Sequence, residues 1–222
     1  MILTVGVLIL MWGFLTLTDS DVDIYLLRHG SSISNEKRLV CGASDYPLSA
    51  NGLGQARLVC GYMNSIRFTR IYSSPLTRAR QTISYLITDA EIKIVPDLVE
   101  LDTGEVSHIS IDELWEWDYR YRYQGLYPNL RYPSGECLND MLKRVASWYQ
   151  RAFATWEMND IILVSGHEGT ICGIMHHLLK IDIAHYPTFV IGNGDHIHIS
   201  INQDGQSRYK FSPLSSLTGG VQ

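Results

Sequence analysis

From Ile24 onward the chain alternates short β-branched runs with stretches of helical periodicity, which confines it to an α/β domain with a largely parallel sheet. Ile24 to Leu27 and Arg70 to Ser73 read as strands, Ile92 to Val95 as a short one and Ile161 to Val164 as a buried one, and His196 to Ile201 alternates like a final strand. Ser49 to Ile66 predicts a helix capped by Ser49 and weakened by Gly52, Gly54 and Gly61. Ser74 before Pro75 predicts another, starting at the proline, with Leu76, Ala79, Ile83, Leu86 and Ile87 facing inward. Leu138, Met141, Leu142, Val145, Tyr149, Ala152 and Phe153 recur at helical spacing, and a further helix runs from Ser165-Gly166 through His177 to Lys180. A parallel sheet needs helices on both faces, so the expectation is a three-layer α/β/α domain over residues 22–212, followed by a flexible tail from 213.

A chain of 222 residues holds one such domain with a core large enough to need neither disulfides nor structural metals. The formal charge of −5 gives no overall attraction to nucleic acid or anionic lipid, so any anion site must be a local cluster of Arg and His. Cys41, Cys60, Cys137 and Cys172 form no paired ligand spacing, which predicts free thiols and a reducing, cytoplasmic setting for the catalytic domain. Met1 to Thr18 is almost wholly apolar. Eighteen helical residues span about 27 Å, short of the roughly 30 Å hydrocarbon core, and no Lys or Arg precedes Arg28. A membrane contact through residues 1–18, a non-native start and an extra packed element all remain open for residues 1–20.

The polar chemistry gathers where strands stop. Arg28 and His29 end the first strand, Arg78 lies just after the second, and His167 follows the Ile161 strand. Ligands of open α/β sheets bind beyond the carboxyl ends of the strands, so these side chains can converge on one anion, with the helix after Pro75 adding its amino terminus and Arg78 a planar fork.

In this order the residues resemble the histidine phosphatase superfamily, the phosphoglycerate mutase-like family. The Arg-His-Gly hallmark stands at Arg28-His29-Gly30, with Asn35, Gly42, Pro47-Leu48 and Gly52 to Ala56 after it. Ser74 to Ala79, Glu100 with Gly104, Gly135 to Leu138 and Ser165-Gly166-His167 follow in register, so the likeness runs from Ile24 to Asn202. It implies a phosphoglycerate mutase-like fold, catalysis by His29, Glu100, His167, Arg28 and Arg78, and phosphate or substrate contacts from Arg28, Asn35, Gly42, Arg78 and His167. It implies no cofactor and no metal. Two positions depart from the common pattern: Ser31 stands where the family usually has Glu, and Glu168 where Gly is commoner. Glu168 is expected at the rim, pointing away from the phosphate.

Phosphoryl transfer needs an in-line nucleophile and preorganised positive donors. His29 can attack through one ring nitrogen if the other donates to a backbone carbonyl, Arg28, Arg78 and His167 can supply the donors, and Glu100 is the carboxyl placed to give and then take a proton, with Asp102 or Glu105 in reserve. The segment Trp115 to Tyr132 interleaves aromatics with Arg120, Arg122 and Arg131, but Asp112, Glu113, Glu116 and Asp118 offset the charge, so it is expected to form a substrate-selecting lid and not a nucleic-acid face. From it, Arg131 or Arg122 is expected to bind a second anionic group. His176-His177 and His196 with His198 lack the accompanying ligands of a metal site. The expected activity is hydrolysis of a small phosphorylated metabolite through a phosphohistidine. A mutase, a protein phosphatase and an inactive binding module of the same fold are the alternatives. The mutases of this family carry a longer insertion than the one joining Glu100 to Gly135, and Arg131-Tyr132-Pro133 before Gly135-Glu136 resembles the bisphosphatase and ribazole-phosphatase branches.

Overall fold

A computed structural model describes residues 21–217. The apolar segment 1–20 and the last five residues lie outside the described residues, and with them the expectations of an anchor or an extra element. Six strands form one sheet: β1 (Val22–Arg28), β2 (Arg70–Ser73), β3 (Ile92–Ile94), β4 (Ile161–Gly166), β5 (His196–Ile201) and β6 (Ser207–Ser212). Their order is β3-β2-β4-β1-β5-β6, parallel from β3 to β1 and antiparallel at β5 and β6. The last strand, β6, escaped the sequence reading because Ser207–Ser212 is an exposed edge with no buried face to impose a period.

The helices are α1 (Ile33–Glu36), α2 (Ala50–Met63), α3 (Thr77–Ile83), α4 (Ile111–Trp117), α5 (Leu138–Phe153) and α6 (Glu168–Leu179). Side-chain alternation along the central strands divides the core between the two faces of the sheet. Ile24, Leu26, Tyr72, Ile162 and Val164 pack with residues of α5 and α6, while Leu27, Ile71 and Leu163 pack with Val59, Cys60, Met63 and Ile83 of α2 and α3. This is a mostly parallel α/β fold with helices on both faces. The four thiols are free. No helix among the described residues is long and apolar enough to cross a membrane.

Several boundaries differ from expectation. Ser49 does cap α2, accepting from Gly52 N at 3.0 Å, but the helix stops at Met63. The helix after Ser74 begins at Thr77 and not at Pro75: the Ser74 hydroxyl contacts His167 and accepts from Leu76 N at 3.3 Å, and the Thr77 N–H is capped by Asp45 at 2.6 Å. The first N–H of that helix is therefore already taken by a side chain. Because α3 ends at Ile83, Ile87 lies beyond it and is 82% exposed, not inward-facing. Phe153, in the last turn of α5, is likewise partly exposed. The start of the expected tail is docked: Leu214–Leu217 forms a 3-10 turn whose leucines pack on the α2 side of the core, and Leu214 N donates to Asp195 at 2.7 Å.

Candidate active site

The adjacent carboxyl ends of β2, β4 and β1 bring three chain segments together. Arg28 of β1 pairs with Gly166 of β4, and Ser73 of β2 pairs with Ser165. The ladder continues past the strand ends, His29 N donating to Gly166 O at 3.1 Å and Ser74 N to Ser165 O at 2.9 Å, so the reactive side chains leave a continuous backbone floor. They line a cleft of about 380 Å³ that contains Arg28, His29, Asn35, Gly42, Arg78 and Glu100.

His29 is buried, and its Nδ1 lies 2.6 Å from Gly30 O. A carbonyl only accepts, so Nδ1 carries the proton and Nε2 keeps its lone pair. Arg78 Nε donates to that Nε2 at 3.2 Å. Burial first, then the Arg78 and Arg28 charges, hold the His29 pKa well below the ordinary histidine value, so the ring is neutral. Arg78 is itself fixed on three sides: besides His29, its Nη1 donates to Ser44 O at 2.7 Å and its Nη2 to Gly42 O at 2.8 Å. Its fork is thus partly spent on backbone, leaving one N–H on each terminal nitrogen for an anion. Gly42 acts through this carbonyl. Its φ of +48° and the lack of space for a Cβ, which would lie 2.5 Å from Leu101 O, explain the residue type.

His167 is fully buried, with Nε2 2.8 Å from Ser74 Oγ and Nδ1 without a partner. Burial, with the Arg78 charge next, pushes its pKa well below the usual value. It is therefore a neutral imidazole, and not the positive charge expected from the sequence; Arg28 and Arg78 carry that charge. Its ring centroid is 5.1 Å from that of His29.

Glu100 reaches the same cleft from the loop after β3. Its carboxylate accepts from Leu101 N at 2.8 Å and Gly169 N at 2.9 Å, and its own carbonyl accepts from Arg144 Nη2 at 3.1 Å. Arg144 is bound in turn by both oxygens of Glu136, at 2.8 and 2.9 Å, which gives the Gly135 to Leu138 motif its purpose. A Cβ on Gly169 would stand 2.3 Å from Glu100 Oε1, so only glycine allows this approach. Asp102 caps Gly104 N and Glu105 accepts from Ser134, so neither reserve carboxylate competes for the position.

Asn35 Oδ1 accepts from Ser32 N at 3.0 Å and Asn193 Nδ2 at 3.2 Å, which leaves its amide nitrogen as the donor for a ligand. Asn193 also donates to His29 O at 3.1 Å, and Gly30 N donates to Thr82 Oγ1 at 3.0 Å. Asn193, Thr82 and Arg144 were missed by sequence reasoning, and Ser74 was read only as a helix cap and motif residue, since each acts through a contact distant in sequence.

Two expectations are corrected. Glu168 does not point away: it lines the cleft and forms a 2.9 Å ion pair with Arg28 Nη1, with the burial of its carboxyl raising its pKa. Arg131 is not among the cleft-lining residues, because its guanidinium pairs with Asp140 and with Gly135 O. Arg122 does line the cleft, its guanidinium 4.8 Å from the Trp115 ring centroid and without a carboxylate partner among the described residues. The roof over the site is formed by α4 and the 3-10 turn Tyr119–Tyr123. Leu114, Trp115, Tyr121 and Tyr132 line the cleft from this side, and Tyr186 and Pro187 close another wall. His196 and His198 lie on one side of β5 as their alternation requires, both packed against the Tyr25 ring.

At the strand ends a neutral imidazole hydrogen-bonded to the Arg78 guanidinium shares one cleft with the Arg28 side chain. The family model of the histidine phosphatase superfamily (branch 1) matches residues 24–211, and the chain belongs to that superfamily. Probable phosphoglycerate mutases of Photorhabdus laumondii and Shigella dysenteriae serotype 1 are 35% and 34% identical over 128 residues, 56% of this chain and 60% of each relative. Among solved structures, a putative alpha-ribazole-5'-P phosphatase from Escherichia coli superposes with a TM-score of 0.77 at 22% identity, covering 90% of this chain and 99% of that one. A mycobacterial glucosyl-3-phosphoglycerate phosphatase gives 0.75 at 22% identity over 86% and 97%, and these two likenesses concern the fold alone. The phosphoserine phosphatase of Entamoeba histolytica, at 25% identity and a TM-score of 0.74, covers 86% of this chain and 96% of its own.

Proposed function

We propose that the chain is a metal-independent phosphatase that hydrolyses a small phosphorylated metabolite through a phosphohistidine at His29. The observation that carries this reading is the tautomer of His29: Nδ1–H tied to Gly30 O, and an Nε2 lone pair facing Arg78 in the cleft. A phosphoryl oxygen entering the site takes over the Arg78 Nε–H, which frees Nε2 to attack phosphorus. The P–O bond to the leaving group breaks as the P–N bond forms, Arg28 and Arg78 balance charge on the equatorial oxygens, and Glu100 gives its proton to the departing alkoxide. Water then attacks the phosphoramidate, Glu100 takes a proton back, and inorganic phosphate leaves with the imidazole neutral again. A cleft of about 380 Å³ suits a small metabolite better than a protein surface.

The test is rapid quenching with labelled phosphomonoesters. An acid-labile, base-stable phosphoenzyme is expected, and its absence from His29→Ala. Label that persists in that variant, or that behaves as a phosphoester, overturns the assignment. Mutase-type transfer is the second reading, favoured by the names of the curated relatives. Against it stands the short link between Glu100 and Gly135, since a mutase must keep its phosphoenzyme dry while an intermediate turns over. Supplying 3-phosphoglycerate with a catalytic amount of 2,3-bisphosphoglycerate separates the two: isomerisation far faster than hydrolysis of any tested ester establishes the mutase.

A further inference from the structure

The two guanidiniums of the site are anchored unequally. Arg78 is held through all three nitrogens, by His29 and two backbone carbonyls. Arg28 is held through one. Its Nη1 donates to Ile191 O and pairs with Glu168 Oε2 at 2.9 Å, its buried Nε has no partner, and its Nη2 has none among the described residues. With both Nη1 protons engaged, Nη2 is the nitrogen that Arg28 can offer to a ligand in the cleft it lines. A planar group pivoting on a single carbonyl can swing, whereas two acceptors on the same nitrogen fix the plane. The backbone supplies one acceptor and Glu168 supplies the other. Nothing else within the described residues does so.

Resting on the phosphate-binding reading above, we infer that Glu168 is a positioning residue, which holds Arg28 by Nη1 so that Nη2 is aimed at the phosphoryl group. A carboxylate beside an anion site would by itself oppose the anion. Here its charge is balanced by the Arg28 guanidinium 2.9 Å away, and the ordering of Arg28 outweighs the repulsion. Glu168 is the first residue of α6, directly after His167 and before Gly169, so one turn of chain carries a ring of the site, the brace of Arg28 and the N–H that holds Glu100.

Orthovanadate and inorganic phosphate are the probes, with dissociation constants measured by calorimetry on the full chain. Glu168→Ala is expected to weaken vanadate binding about tenfold, as for residues coupled through one contact network. Glu168→Gln, whose amide oxygen can still accept from Nη1, is expected to retain most of the affinity. In an Arg28→Ala background, Glu168→Ala should have no further effect, which a role in folding alone would not produce. Glu168→Ser, equally too short to reach Nη1, replaces the alanine variant if melting shows that the latter does not fold. Tighter binding on removal of the carboxylate, or an equal loss with and without Arg28, overturns the inference. A wild-type protein that binds neither anion overturns the phosphate reading itself, before any variant is made.

Discussion

At the floor of the cleft, His29 is 4% exposed and is held by backbone on two sides, whereas in the roof Trp117 and Tyr119 are 59% and 61% exposed. The floor is built where three parallel strands end side by side, so its donors are set by the sheet register and can shift little without breaking it. The roof is a short helix and a 3-10 turn, α4 and Tyr119–Tyr123, whose ion pairs, Asp118 with Arg120 at 2.6 Å and Asp112 with Arg38 at 3.2 Å, are made by exposed arginine side chains. Chemistry that demands sub-ångström placement belongs on the first, and the recognition of a variable leaving group belongs on the second. Substitutions at the floor should therefore change kcat, and substitutions in the roof should change KM for particular substrates.

The largest effect is expected from one methyl group at the floor. Gly169→Ala puts a Cβ 2.3 Å from Glu100 Oε1 and must displace the carboxylate, so kcat for alkyl phosphates should fall about 10²- to 10⁴-fold, the usual range for losing a general acid–base group. With p-nitrophenyl phosphate, whose leaving group needs no proton, the first half-reaction should be nearly spared. Equal losses on both substrates would mean that α6 moved as a whole. In the roof, Arg122→Ala should raise KM about tenfold for phosphoesters bearing a second anionic group and leave it unchanged for those without one, with kcat little altered. A uniform KM across both sets would break the division between floor and roof.

The smallest effect concerns stability and acid. His29, His167 and His196 are buried and neutral, His196 with its pKa lowered to about 4, chiefly by burial. Their folded values lie below the unfolded value, so the unfolded chain binds more protons once pH falls below about 6.5, and the folded state loses ground from there downward. Each such histidine contributes a slope of about 1.4 kcal/mol per pH unit between its two values. Thermal melting between pH 7.5 and 5 should show a falling Tm on the acid side and a plateau above neutrality. In His196→Asn the fall should be shallower while vanadate affinity at neutral pH is kept. An unchanged slope would show that β5, unlike the floor, does not bury its histidine neutral.

The sequence by itself determined the class of fold and brought His29, Arg28, Arg78 and Glu100 to one cleft. Alternating runs of β-branched residues have few ways to bury two faces, and His29, Arg78 and His167 stand where those runs stop, so their convergence follows from sheet topology. It did not reach the weak elements: β6 has no buried face, and α3 starts two residues late, with Ser74 in contact with His167 and Asp45, thirty-two residues before Thr77, supplying the cap. Nor could it choose between Arg122 and Arg131, or foresee that Glu168 turns toward Arg28. A guanidinium or a carboxylate goes to whichever partner the fold brings within about 3 Å, and Asp140 lies one turn into α5 for Arg131 while Trp115 lies beneath Arg122. Residue type and order decide which charges exist; only the packing of distant segments decides which of them are already paired and which are left facing the cleft.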